Sequence, residues 1–402
     1  MENAVFYILE HEYDGSYAVP MDHGLKMVYI LDDYISALWV DRYYDCGDFE
    51  ITCEPSKELI KLLTPSSENR YINKYIGCSH AKSLMIVEEF TVKRDSSTNT
   101  KELKIKGRSV ECILERRCVG LKTIMQGTVA DAIRQILYYA FINPNFYSED
   151  PMKHVKADNM VFNRSHLDSE YAVKEIEEEF EMGTNLLEII STLCKSTGIG
   201  FRIVIQNDEN SRSVFSVQLY NGVDHSVYNN STSPVVFSTE FDNIGEVSYT
   251  LKAGENVSNM VLVVGEEYDN RTHTAWNTSN KPREEDTSIY SKEFVYNASD
   301  INHEVTKWTN TGPVQITMTD IEYWQLLQKT CREKLNERDI TTEVEAKVHD
   351  SINFTYGKDY NIGDIVMLDT EYAGMQKMLV TEFIQSFSAT GVEQYPTLTG
   401  IE

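Results

Sequence analysis

Two stretches of this chain, far apart in sequence, carry the same pair of short motifs in the same order. Gly47–Ile51 (GDFEI) resembles Gly363–Met367 (GDIVM), and Met85–Phe90 (MIVEEF) resembles Met378–Phe383 (MLVTEF). In both stretches the Gly-Asp motif comes first. This repeat constrains the fold strongly, because both copies must be able to adopt one common structure.

The physical interpretation of the repeat is a β unit that is used twice. A Gly-Asp turn begins a strand, and a long hairpin follows it. A glycine ends the second arm of each hairpin, since Gly107 follows Phe90 and Gly400 follows Phe383 by the same 17 residues. Equal arms suit two similar barrel walls, because closure fixes strand length and register. The repeat therefore predicts two similar β-barrels. Chance similarity between hairpins of like composition is the alternative.

The predicted fold class is mainly β with an α+β insertion: two similar β-barrel domains plus peripheral α+β domains. The predicted domains are a first barrel at 1–126, an α+β domain at 127–230 and a second barrel at 231–402 with a helical insertion near 297–340. Strands predicted within 235–265 could instead complete the first barrel. The 24 tyrosines of the chain support a strand-rich fold.

Three helices are predicted from their capping residues. Thr128 with Asp131 begins a helix over Val129–Tyr139, and Asn185 with Glu188 begins one that reaches about Lys195, before Gly198. Thr319 with Glu322 begins the longest, Asp320–Asn336, with a predicted apolar side of Ile321, Trp324, Leu327 and Leu335. Polar stretches at 144–183 and 267–291 are predicted to be mostly loop.

Charge and cysteine usage exclude several classes of protein. The formal net charge is −26, which repels phosphate backbones and argues against sequence-specific nucleic-acid binding. The seven cysteines are scattered and odd in number, which favours synthesis in a reducing cytoplasm. We find no run of 18 apolar residues and no secretory signal at Met1–Asn3, so no membrane span is expected.

The motifs of common enzymes are missing from the sequence. It contains no HExxH, GxSxG, P-loop or GxGxxG pattern, and the nine histidines are isolated. We therefore predict no catalytic, cofactor-binding or metal-binding residues and no cofactor. The acidic runs Glu175–Glu179 and Glu284–Asp286 are interpreted as solvated surfaces. A glycosidase pair of carboxylates and calcium binding by acidic loops stay open as alternatives.

Two segments near the N-terminus, Tyr29–Trp39 and then Arg42–Glu50, together resemble the opening of siphophage tail-hub proteins. In that family an aspartate-tyrosine-x-serine-leucine-x-tryptophan segment precedes an aromatic strand with glycine-aspartate-phenylalanine-glutamate. Tyr29–Trp39 and Arg42–Glu50 are similar to these two segments, although Ala37 interrupts the first by one residue. Further similar segments are Gly107–Arg117, Gly127–Ile133, Asn185–Glu188, Gly198–Phe201, Tyr220–Ser226 and Val235–Asn243.

The resemblance implies a structural, non-enzymatic hub of a phage tail or phage-tail-like particle. Such hubs are homotrimers in which each chain supplies two tube-like barrels, so that three chains form a ring of pseudo-sixfold symmetry. The implied partners are the distal tail protein ring above and a tip, spike or fibre protein below, with the tape-measure protein as a further candidate. The implied location is the virion, after assembly in the bacterial cytoplasm.

Two alternatives to the hub are a carbohydrate- or receptor-binding tail-tip module, suggested by the many aromatic residues, and a cell-wall hydrolase. Larger hub proteins carry an added C-terminal peptidase, lysin or fibre domain. This sequence stops at Glu402, just after the second motif pair, so we expect no such extension in it.

Overall fold

Both copies of the repeat lie in one continuous β-sheet of eleven strands among the residues that the structure describes. The structure is a computed structural model, and it describes residues 4–14, 21–65, 72, 74–94, 100–144, 154, 156–157, 159–207, 212–252, 257–278, 289, 291–298, 301–309, 312–339, 341–348, 353–372, 374–388 and 391–401. The strands of this sheet are β1 (Phe6–Asp14), β2 (Met21–Leu31), β3 (Ser36–Arg42), β4 (Asp48–Cys53), β5 (Tyr75–Cys78), β6 (Leu84–Arg94), β7 (Lys101–Ser109), β13 (Val236–Ser238), β21 (Ile365–Thr370), β22 (Gly374–Ser388) and β23 (Gly391–Gly400).

The order of the strands is β13-β21-β22-β3-β4-β7-β6-β5-β1-β2, and β23 pairs with the other side of β22. The long strand β22 pairs first with β21 through Gly374–Leu379 and then with β3 through Glu382–Ser388. It therefore joins the strands of the second repeat to those of the first. The chain is mainly β, as predicted. In the described residues this path is open at both ends, so the prediction of two closed barrels is not confirmed.

The hairpins of the two repeats share a β-bulge at the same place. Strands β6 and β7 change register between Val87 and Glu89, and β22 and β23 change register between Val380 and Glu382. These positions correspond in the two matched motifs. A bulge adds one residue to one strand and bends it. The sequence match therefore reflects a shared local structure rather than chance.

The prediction of equal hairpin arms is wrong. Gly107 pairs with Val87, whereas Gly400 pairs with Met378, two residues further along its hairpin. A Cβ at Gly107 would lie 1.8 Å from the Ile86 carbonyl oxygen, while a Cβ at Gly400 would meet open space. The strands after the Gly-Asp motifs also differ, because β4 pairs with β7 and β21 pairs with β22.

Two hydrophobic cores lie along this sheet. The first is enclosed by β1–β7, by helix α1 (Lys57–Leu63) and by the end of β22, which contributes Phe387. The second contains Phe237 of β13, Val366 of β21 and Phe383 of β22. In both cores alternate strand residues point inward, as expected for sheets with one buried face.

An α+β unit follows the first core. Its helices are α2 (Val129–Leu137), α3 (Ser169–Ala172) and α4 (Leu186–Thr197), and its strands are β8 (Thr123–Thr128), β9 (Met160–His166), β10 (Glu175–Phe180), β11 (Gly200–Asn207) and β12 (Ser213–Tyr220). The predicted caps are present, since Thr128 accepts a hydrogen bond from Asp131 N and Asn185 accepts one from Glu188 N. Gly198 ends α4 with a φ of 70°.

The loop predicted over 144–183 is wrong where β9, α3 and β10 occur, and other parts of it lie outside the described residues. Strand β9 pairs in parallel with β12, and β10 pairs with β8. Within the acidic run, Ile176 is buried and Glu179 forms an ion pair with Lys122. The run is therefore not wholly a solvated surface.

A second α+β unit surrounds helix α5 (Asp320–Asn336). Its strands are β14 (Ile244–Lys252), β15 (Met260–Tyr268), β16 (Arg271–Thr278), β17 (Glu293–Asn297), β18 (Glu304–Thr309), β19 (Gly312–Thr317) and β20 (Thr341–Val348). Strand β16 lies inside the loop predicted over 267–291, so that prediction is wrong there. Strands β8, β10, β18 and β19 form one sheet that joins the two α+β units.

The N-terminal cap of α5 is as predicted, but two of the four residues predicted for the apolar side of this helix are exposed. Thr319 and Glu322 form a full capping box. Leu327 and Leu335 are buried, whereas Ile321 and Trp324 are 71% and 51% exposed. The buried side of α5 consists of Tyr323, Leu327, Thr330, Cys331 and Leu335. None of the helices in the described ranges is long and apolar enough to cross a membrane. The domain boundaries at 126 and 230 stay predictions.

Candidate assembly surface

Tyr43 lies at the junction of the first repeat, the second repeat and the first α+β unit. Its backbone N–H donates to the carbonyl oxygen of Thr381, the extra residue of the second bulge, at 2.9 Å. Its own carbonyl oxygen accepts from the Phe201 N–H at 3.3 Å. One residue thus connects β22 on one side to β11 on the other.

The ring of Tyr43 fits between two glycines. A Cβ would lie 2.1 Å from the ring at Gly200 and 2.4 Å from it at Gly363. The hydroxyl donates to the Gly198 carbonyl at 3.2 Å and lies 3.4 Å from the Tyr220 carbonyl. The ring is fully buried, and burial raises its pKa above the ordinary tyrosine value. This packing fixes how the two repeats are oriented.

Charged groups reinforce the same junction at the protein surface. The Arg42 guanidinium contacts Glu382 of β22 at 2.7 Å through Nε and Asp48 of β4 at 2.6 Å through Nη2. Its Nη1 donates to the Cys46 carbonyl at 2.9 Å. A planar guanidinium suits such a forked arrangement, which a lysine could not reproduce.

The aspartates of the two Gly-Asp motifs have different partners. Asp48 faces Arg42, whereas Asp364 is buried and accepts hydrogen bonds from the backbone N–H groups of Val223 and Asn361, each at 2.7 Å. Burial raises the pKa of Asp364. This carboxyl holds the loop after β12 against the start of β21.

The two ends of the sheet offer strand edges. Among the described strands β2 pairs only with β1, and its outward side chains Met27 and Ile30 are 50% and 47% exposed. At the other end β13 pairs, among the described strands, only with β21, whereas β23 branches from β22 and lies close to β20. Exposed edges with apolar residues are templates for pairing with another chain.

A second exposed apolar surface lies on the small sheet of β15, β16 and β17. Leu262 pairs with Trp276 on one side and with Val295 on the other, so the three residues form one row across the sheet. Trp276 is 61% exposed and Val295 is 66% exposed. The opposite face, with Val261 and Val263, packs in the core around α5.

No catalytic, cofactor or metal residue was predicted from the sequence, and Glu284–Asp286 lies outside the described residues. The structure nevertheless brings His273, His303 and Asp320 together. They stand on separate elements of the second α+β unit, so motif spacing gave no signal for them.

The fold is similar to that of known phage tail proteins. The 43 kDa tail protein of prophage MuSo2 from Shewanella oneidensis matches with a TM-score of 0.50 and 11% identity, covering 99% of this chain and 98% of that one. The tail protein from Neisseria meningitidis matches with the same TM-score and identity, covering 99% and 96%. None of the curated protein sequences matches the chain.

The family whose model matches this chain defines the class of protein: a structural protein of the phage-tail type. The model of the Siphovirus ReqiPepy6 Gp37-like protein family matches residues 21–397, nearly the whole chain. The chain belongs to this siphovirus tail protein family, which confirms the resemblance found in its sequence.

Proposed function

We propose that this chain is the hub subunit of a phage tail, and that three copies form a ring of pseudo-sixfold symmetry. The ring joins the tail tube or distal tail protein to the tip or fibre element. In this proposal residues 1–126 and 231–402 provide two similar ring units, and residues 127–230 form a peripheral domain. The hub has no catalytic role, which accords with a family and structural neighbours that are tail proteins.

The single observation that carries the proposal is the open sheet with one free edge at each end. Strands β2 and β13 stand at the two ends of the strand order, so one copy can place its β2 edge against the β13 edge of the next. Two different surfaces that pair head to tail generate a ring when the rotation closes. The barrel walls that stay open within one chain would then close between chains.

The repeated bulge supports the pseudo-sixfold part of the proposal. The β6–β7 and β22–β23 hairpins have the same bulge, at Val87/Glu89 and at Val380/Glu382. Two similar hairpins per chain give six similar units in a ring of three chains. Such a ring could contact both threefold and sixfold neighbours in a tail.

The charge of the chain accords with a channel that DNA passes without binding. The formal net charge is −26, and a surface of this sign repels phosphate groups. The virion is accordingly the proposed location, after assembly in the host cytoplasm.

The test measures the mass and the symmetry of the purified chain. Light scattering after size exclusion should give three times the 46.2 kDa of one chain, and electron microscopy should show a ring. The double substitution Met27→Glu with Ile30→Glu places charges on the β2 edge and should reduce the measured mass to that of the monomer. The matched control is Val173→Glu, at an apolar residue of the first α+β unit that is 67% exposed.

Two outcomes would contradict the hub. One is a chain that stays monomeric alone and together with its distal tail protein. The other is a trimer that the β2 double substitution leaves intact. Hydrolysis of host cell wall by the purified protein would contradict the non-enzymatic part of the proposal.

The row of Leu262, Trp276 and Val295 favours a second candidate function, carbohydrate binding at the tail tip. An exposed indole offers a flat face on which a sugar ring can stack. Binding of host cell-wall glycans that Trp276→Ala abolishes, with Tyr372→Ala as a control at another exposed ring, would support it. A chain that binds no host glycan would exclude it.

A further inference from the structure

His303 is buried in the second α+β unit with its ring in a fixed orientation. The ring lies between Tyr268, at 4.3 Å between centroids, and Tyr323, at 3.7 Å. Glu266 Oε1 lies 2.6 Å from His303 Nδ1 and also accepts the His303 backbone N–H at 2.6 Å. Because the carboxylate oxygen can only accept, Nδ1 carries the hydrogen and Nε2 is left with its lone pair.

That lone pair has no hydrogen-bond partner among the residues that the structure describes. His303 Nε2 is buried without one, and so is His273 Nδ1. The Tyr323 hydroxyl does not donate to either nitrogen, since it donates its one hydrogen to the Ile301 carbonyl at 2.6 Å and accepts from the Glu266 N–H at 2.9 Å. Buried polar atoms are almost always satisfied by protein, water or an ion, so this one requires an explanation.

A carboxylate completes the cluster. One ligand atom each of His273, His303 and Asp320 lies within 4.8 Å of the others. Zinc holds nitrogen and oxygen ligands at about 2.0–2.2 Å, so ligand atoms of one ion lie about 3–4 Å apart. Asp320 is exposed, and rotation about its side-chain bonds can close the remaining distance.

We propose that His273, His303 and Asp320 bind a divalent transition metal ion of the zinc type. Two imidazoles and one carboxylate are ligands that Zn²⁺ accepts, whereas Ca²⁺ prefers oxygen ligands throughout. Glu266 orients the His303 ring through Nδ1, as a carboxylate does in many histidine–metal sites. Water fills the fourth position on the exposed side, next to Asp320.

The ion connects three elements of the second α+β unit. His273 lies on β16, His303 directly precedes β18, and Asp320 is the first residue of α5. Metal binding at such a site contributes directly to folding stability, because the unfolded chain lacks a preformed site. The ion therefore fixes α5 and β18 against the sheet that carries Trp276.

The experiment uses the untagged full-length chain after removal of metal with a chelator. Calorimetric titration with Zn²⁺ should show one ion per chain, and Zn²⁺ should raise the Tm. Titration with Co²⁺ should give the visible absorption of a tetrahedral nitrogen–oxygen site. Asp320→Asn should weaken Zn²⁺ binding at least tenfold, and Glu266→Gln should weaken it about 10- to 100-fold.

His303→Gln should abolish Zn²⁺ binding. The matched control is His166→Gln, at an exposed histidine of β9, which should bind Zn²⁺ as the wild type does. If His303→Gln fails to fold, Zn²⁺ binding by Asp320→Asn tests the proposal instead. The Asp320 side chain is exposed, so this substitution should leave the fold intact. The proposal is overturned if the wild-type chain binds neither ion stoichiometrically. Equal binding by Asp320→Asn and the wild type would also overturn it.

Discussion

The ring of Phe6 lies edge to face against the ring of Phe387, 5.8 Å between centroids, although six strand pairings separate β1 from β22 in the sheet. Both side chains are fully buried in the first core. The sheet therefore curls until its N-terminal strands meet a strand from the second repeat. The first core is incomplete without Phe387, which the second repeat supplies.

Removing the Phe387 ring, and with it this contact, should weaken the first core. Phe387→Ala should lower the free energy of unfolding by about 3–5 kcal/mol, the usual cost of removing a buried aromatic ring. Urea denaturation measures this, and hydrogen exchange should become faster in β1 and β3. Tyr372→Ala, at a ring that is 73% exposed, should change stability by less than about 0.5 kcal/mol. Equal effects of the two substitutions would contradict the packing described.

The two glycines that the sequence match equates should respond differently to substitution. Gly107→Ala places a Cβ against the Ile86 carbonyl, so we expect a loss of about 2 kcal/mol or more. Gly400→Ala meets open space and should be neutral within about 0.5 kcal/mol. Chemical denaturation of the two single variants checks this, and each serves as the control for the other. Similar losses at both positions would mean that the hairpins are equivalent after all.

The contact between Tyr43 and Gly200 should show strong coupling. Gly200→Ala alone should destabilise the chain by about 1–3 kcal/mol, because its methyl group would overlap the tyrosine ring. In the background of Tyr43→Leu the same substitution should cost less, since the ring is gone. A double-mutant cycle from thermal or urea unfolding gives the coupling energy, expected at about 1 kcal/mol or more. Additive losses would show that the ring does not fill this space.

Asp41 should make stability depend on pH between about 4 and 6. Burial raises its pKa from 3.8 to about 6 in the folded chain, and its hydrogen bond with Ser83 offsets part of this. Protonation therefore stabilises the folded state fully below the unfolded pKa, and this stabilisation is lost as the pH rises through about 6. At pH 7 the ionised carboxylate costs up to about 3 kcal/mol.

Asp41→Asn should accordingly raise the stability at pH 7 by about 1–3 kcal/mol and flatten the profile between pH 4 and 6. The midpoint of urea unfolding at several pH values measures this. Asp33→Asn, at an exposed aspartate, should keep the slope of the wild type. An unchanged profile in Asp41→Asn would assign the pH dependence to other groups.

Features that depend on nearby residues could be predicted from the sequence. The caps at Thr128, Asn185 and Thr319 lie within three residues of their partners, and all three form as predicted. The hairpin of β6 and β7 likewise follows from alternation and a polar turn. In these cases the residues that determine the structure lie within one short window.

Features that depend on distant partners could not be predicted. Strands β9, β10 and β16 are polar segments that become strands because β12, β8 and β15 pair with them. The exposure of Ile321 follows from where α5 meets its sheet, which a helical pattern alone does not show. His273, His303 and Asp320 are separated by whole elements, so no spacing rule could group them.

The pairing of β3 with β22 has a consequence for the way this chain is made. Arg42 and Glu382 are 340 positions apart, and they are neighbours in the finished sheet. During translation β3 therefore emerges long before its partner, and contacts between such distant segments form slowly. The growing chain carries an unpaired strand edge beside Trp39 until β22 has been synthesised, which exposes this edge to aggregation and to chaperones. A nascent chain arrested before β22 should bind a hydrophobic dye that the released chain no longer binds.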